Sequence, residues 1–149
     1  MLSDFCDRLR PLALTLLRLA VGVVFLSHGW GKVSDLPKWS GNFIHMGFPG
    51  WVAYCIGPLE FVGGALLVLG LFSRLVGLLL AGDMLVALLK VHLPGGPLFP
   101  TGRFEEVMIL SAAAFTLFAF GGGPVALDRV FFGGRRSRSA RARGAGSLR

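Results

Sequence analysis

Four stretches of the chain are apolar over lengths that suit a membrane crossing: residues 11–30, 51–72, 74–92 and 104–120. Each is near the roughly 20 residues that span a bilayer core, and the last two are short enough to end at the interface. A backbone in hydrocarbon must satisfy its own hydrogen bonds, so each run predicts a helix. Pro11 suits a first helical position, where its missing N–H would be unpaired anyway. Only "LFSR" separates the second run from the third, which predicts an antiparallel hairpin. The Pro/Gly-rich "PGGPLFPTG" links the third to the fourth. The longest connection, residues 31–50, carries Trp39, Phe43 and Phe48 and leads into Trp51. Aromatics so placed predict an amphipathic segment lying at the membrane surface. The predicted fold is an all-α, four-helix transmembrane bundle.

Composition agrees. Hydrophobic residues make up 54% of the chain and the mean hydropathy is +0.69, above the roughly 45–50% of a water-soluble domain. A soluble bundle would need a polar face on every helix, and these runs have none. Glycine, 22 of 149 residues, suits close helix packing in lipid. Residues 1–132 form one expected domain. Residues 133–149 contain "RRSRSARARGAGSLR", six arginines without an acid, and read as a disordered basic cytoplasmic tail that contacts anionic lipid. The tail has no aromatic residue for base stacking, so nucleic acid is not an expected partner. It supplies most of the net charge of +7.

With four crossings, Arg8, Arg10, Arg74, Arg129 and the tail fall on one side, and Lys32, Lys38 and Arg103 on the other. The larger set places both termini in the cytoplasm. Cys6 and Cys55 then lie on opposite sides, and without a C-x-x-C there is no case for a thiol–disulfide relay. The first run is no signal peptide, being interrupted by Arg18 and followed by "SHGWGK" rather than a small-residue cleavage site. Nucleotide and zinc motifs of the usual kinds are missing from the sequence.

The charges inside the runs form two expected layers. At 1.5 Å per residue, Arg18 lies about 12 Å from the cytoplasmic end of its helix. By the same rise Glu60 and Asp83 lie about 13–14 Å from the starts of theirs. Lone charges there are expensive, so Arg18 is expected to pair with Glu60, Asp83 or both. Gly57, Glu60 and Gly64 share a face that points into the bundle, and Pro58 should loosen that helix locally. The outer layer holds His28, Lys32, Lys90, His92, Glu105 and Glu106. Asp83 and Lys90, seven apart, are expected to form a stripe joining the layers. A structural reading stands beside a functional one, since a buried ion pair locks helices and terminal Lys and His residues anchor them. The number of ionisable groups favours a proton, ion or ligand site.

The segments "LRLAVGVVFLSHGWGKV", "G-x-x-E-x-x-GG", "L-G-L-x-[ST]-R", "VHL" and "GGGPVALD" occur in this order, with an aromatic-Glu pair opening the fourth run. Over Leu16–Phe132 the chain resembles the DoxX family of bacterial inner-membrane proteins. The resemblance implies a four-helix bundle, a multi-pass inner-membrane location and an association with quinone-linked respiratory or redox-stress complexes. Arg18, His28, Lys32, Glu60, His92 and Glu105 occupy the family's polar positions, whereas Asp83 departs from them.

The leading expectation is a membrane subunit of a quinone-linked oxidoreductase. His28 or His92 would hydrogen-bond a quinone carbonyl and move a proton, and Glu105 would orient the imidazole. Arg18, Lys32, Glu60, Asp83 and Lys90 would bind it or relay charge. Since His28 and His92 end helices and His45 lies in a loop, haem ligation is not expected, nor is a metal or nucleotide site. Electrons would then come from a soluble or membrane redox partner, with membrane lipids and a second copy of the chain as further partners. The alternatives are a non-enzymatic module that docks a soluble enzyme or cargo, and a transporter of protons or small solutes.

Overall fold

The computed structural model describes residues 2–93, 104–123 and 125–128. The Pro/Gly-rich loop, Arg103, Arg129 and the basic tail lie outside them. Helix α1 is Leu2–Val33, α2 Leu36–His45, α3 Val52–Leu69, α4 Ser73–Ala87 and α5 Phe104–Phe120. A π-helical turn, Leu88–His92, extends α4. Strands do not occur among the described residues. Three helical segments are long and apolar enough to cross a membrane: Phe5–Val33, Val52–Leu69 and Ser73–His92.

The first helix is longer than the sequence suggested. It begins at Leu2, not Pro11, and Pro11 lies inside it. An interior proline removes one backbone hydrogen bond, yet the helix continues. The Arg10 Nε–Asp7 Oδ1 contact of 3.2 Å spans the turn before Pro11, and Thr15 Oγ1 donates to the Pro11 carbonyl at 2.9 Å. The 31–50 connection holds α2. Asp35 caps it by accepting from the Lys38 N–H at 3.3 Å, and a proline occupies its first turn. Helix α3 runs through Pro58 without interruption.

Helices α1 and α3 are antiparallel and touch through glycine. A Cβ on Gly22 would lie 3.0 Å from the Gly64 carbonyl oxygen, and one on Gly29 would lie 2.8 Å from the Glu60 carbonyl carbon. Side chains there would force the helices apart. Small residues on facing positions are how apolar helices approach closely in lipid. Helix α5 packs antiparallel along α4: Ser111 Oγ donates to the Ala81 carbonyl at 3.3 Å, and a Cβ on Gly77 would meet the Ala114 carbonyl at 2.8 Å. Between the two pairs lies a core of Val21, Phe25, Leu67, Leu80, Met84, Leu110 and Leu117. The periphery is apolar too, with residues such as Leu12, Val23, Leu75, Ile109 and Phe115 exposed. Cys6 and Cys55 are free and exposed.

The α3–α4 turn closes the bundle at the other end. Gly70 adopts φ 74°, and the Leu71 N–H reaches back to the Leu66 carbonyl at 2.9 Å, a Schellman-type stop. Asp128 then caps α4, its carboxylate accepting from the N–H groups of Phe72 at 2.6 Å and Ser73 at 2.8 Å. Replacing Gly29 by valine should separate α1 from α3 and lower stability by at least about 1–3 kcal/mol, the usual cost of overpacking. Thermal unfolding in detergent or native-lipid particles reads this directly.

Candidate functional site

The pairing of helices by glycine sets the depth of each charge. Gly29 of α1 is level with Glu60 of α3, while Arg18 is level with Gly70 at the far end of α3. The expected pairing of Arg18 with Glu60 or Asp83 is therefore overturned. Arg18 is 3% exposed, lies over Gly70 and has the Asp128 carboxylate as its charged neighbour. Its Nε and Nη1 have no hydrogen-bond partner among the described residues. The depth count failed because it set the start of each apolar run flush with one membrane face, the first at Pro11, whereas α1 begins at Leu2. Antiparallel helices of 32 and 18 residues need not align at their ends.

Lys32 is the partner Glu60 has. Its Nζ donates to Glu60 Oε2. Glu60 is fully buried. Lys32 reaches it by lying along Gly57, where a Cβ would come within 3.2 Å of the Lys32 Cβ. The ammonium also sits 5.4 Å from the centre of the Trp39 ring, a cation–π distance. Trp39 Nε1 donates to the Gly31 carbonyl at 3.0 Å, so the end of α1 holds α2 in place. Glu60 Oε1 and Asp83 Oδ2 are buried without a hydrogen-bond partner among the described residues. The charges acting on Asp83 are those of Glu60 and Lys32.

These groups form one wall of a cavity of about 220 Å³. His28 and Lys32 come from α1, Glu60 from α3, Asp83 and His92 from α4 and its π turn, and Glu106 from α5. Trp39, Phe43, Met46 and Phe48, on and after α2, line it as well. His28 Nε2 lies 3.1 Å from Glu106 Oε1. His92 Nδ1 lies 3.0 Å from the Ala87 carbonyl. A carbonyl only accepts, so Nδ1 carries the hydrogen and Nε2 is left to the cavity.

Of the sequence-predicted site residues, His28, Lys32, Glu60, Asp83 and His92 meet here. Arg18, Lys90 and Glu105 do not. Lys90 is exposed, and the expected Asp83–Lys90 stripe does not form. The π turn closes through the Leu93 N–H to Leu88 carbonyl bond of 3.0 Å, which adds a residue to the turn. The stripe from Asp83 therefore continues to Val91 and His92 instead of Lys90. Glu105 is exposed and Glu106 takes the place by His28. A signal for this was present: Glu106, Leu110, Ala114 and Leu117 are spaced by four, four and three, and the last three are buried. Asp128 was also missed as a cap, although it closes "GGGPVALD".

Residues 13–93 match the DoxX family. This chain belongs to the DoxX family. An uncharacterized protein of Haemophilus influenzae is 35% identical over 130 residues, covering 85% of this chain and 96% of its own. The Bacillus subtilis protein named "Putative oxidoreductase CatD" is 31% identical over 127 residues, covering 85% of this chain and 92% of its own. The Escherichia coli "Inner membrane protein YqjF" is 24% identical over 123 residues, covering 83% and 95%. No solved structure matches.

Removing the Lys32 ammonium leaves a buried acceptor without its donor, which costs about 1–3 kcal/mol. Lys32→Ala should lower stability by that amount, while Lys90→Ala, on the exposed side of the π turn, should stay within about 0.5 kcal/mol of the parent. Paired unfolding measurements on the two variants check both.

Proposed function

We propose that this protein is the four-crossing membrane subunit of a quinone-linked oxidoreductase in a bacterial inner membrane, with both termini cytoplasmic. The cavity carries the reading: an apolar cover faces a wall that holds a lysine ammonium and a histidine nitrogen. Support for a fourth crossing comes from α5, whose 17 residues pack antiparallel along α4; its rise is about 25 Å. The name of the Bacillus subtilis relative points to redox chemistry, and that of the Escherichia coli relative to an inner membrane.

The residues present fit a quinone headgroup. A cavity of about 220 Å³ is smaller than the roughly 300–1,000 Å³ of pockets for whole drug-sized ligands. It suits a single ring system. When bound, a quinone supplies two-electron, two-proton redox capacity. The chain would contribute the rest. The Lys32 ammonium would donate to a carbonyl oxygen. His92, held by the Ala87 carbonyl, presents Nε2 for proton exchange. Glu106 fixes the His28 ring, and Trp39, Phe43 and Met46 keep water out. Electrons would come from a partner protein.

The test is chemical. Protein extracted in native-lipid particles should hold a quinone in a fixed ratio to chain, and His92→Ala should lose it while staying folded. A well-folded parent without quinone contradicts the proposal.

A further inference from the structure

Two carboxyl groups and one ammonium meet on the buried wall of the cavity. Glu60 is fully buried, and one of its oxygens is taken by Lys32. The other has no partner among the described residues, nor has the buried Oδ2 of Asp83. Asp83 feels both Glu60 and Lys32. The remaining ionisable groups on the cavity are engaged elsewhere: His28 with Glu106, and His92 Nδ1 with a backbone carbonyl. Helix α2 and the residues just after it bring aromatic and thioether groups but no charge to the lining. Fully ionised, the cluster would bury one excess negative charge in an apolar bundle, which is strongly unfavourable. A hydrogen between the two carboxyl groups removes that charge and gives an unpartnered oxygen a donor.

We infer that Glu60 and Asp83 form a proton-holding site, with one proton shared between them beside Lys32 and exchangeable through the cavity. The ligand is the proton itself, so the site does not depend on a quinone being present. Its position gives the cavity a proton store: a molecule that needs a proton there has one at the wall, and Lys32 sets how many the wall holds. Charge counting fixes the stoichiometry. With Lys32 in place one carboxyl is protonated; without it, both are. Without either carboxyl, the other is an ion paired with Lys32 and no proton is held.

Infrared spectroscopy of the full chain in lipid particles at neutral pH tests this without any redox assay. The parent should show the carbonyl stretch of a protonated carboxyl group, shifted in deuterium oxide. Asp83→Asn and Glu60→Gln should each abolish it. Lys32→Gln should raise it about twofold, because neutrality then needs both carboxyl groups protonated. Helical circular dichroism confirms that each variant is folded, and Lys32→Gln keeps the test decisive should either carboxyl variant fail to fold. A parent without the band overturns the site, as it would if His92 carried the charge instead. So does a band that survives both carboxyl substitutions, or one that Lys32→Gln leaves unchanged. Loss of quinone binding with the band intact would count against the quinone reading alone.

Discussion

The ion pair between Lys32 and Glu60 is the constraint around which the bundle is arranged. A buried carboxylate without a cation is among the costliest features an apolar interior can hold. Glu60 is fully buried, so α1 must deliver Lys32 to its level. It can do so because Gly22, Gly29 and Gly64 let α1 and α3 run in backbone contact. The glycine seam thus sets the register, and the register sets the charge pairing. Trp39 completes the arrangement by laying its ring beside the same ammonium, so the surface helix α2 is fixed by the group that neutralises the core.

The opposite end is held differently. Arg18 lies over the left-handed Gly70, and Asp128 links the end of the described chain to the start of α4. Its two hydrogen bonds satisfy N–H groups that a helix start leaves open. One cation and one carboxylate therefore serve the closure of the bundle, while Lys32, Glu60, Asp83 and Glu106 line the cavity. This division explains why Arg18, the most conspicuous charge of the first apolar run, is not part of the cavity wall.

Periodicity and composition made the helices legible, because apolar runs of this length can be little else. The inward face of α3 was legible too: Gly57, Glu60 and Gly64 are all buried. What failed were quantities set by tertiary register. Arg18 was placed by counting from Pro11, but the helix passes through Pro11 and slides relative to α3. Lys90 was placed by a regular helical stripe, but the π turn shifts the stripe by one residue. Glu105 was favoured over Glu106, although the spacing to Leu110 and Ala114 selects the latter. The cover formed by α2 was visible only as an aromatic segment, since its attachment depends on a contact between Trp39 and the end of α1.

The central claim is that Lys32 and Glu60 stabilise the bundle as a pair and not as separate residues. Exchanging them tests it most directly. Lys32→Glu and Glu60→Lys, made singly and together, should give two strongly destabilised chains and one whose unfolding temperature recovers much of the loss. Such coupling is what contact between two side chains produces. A double variant no more stable than the singles would contradict the account and leave the cavity wall without its organising contact.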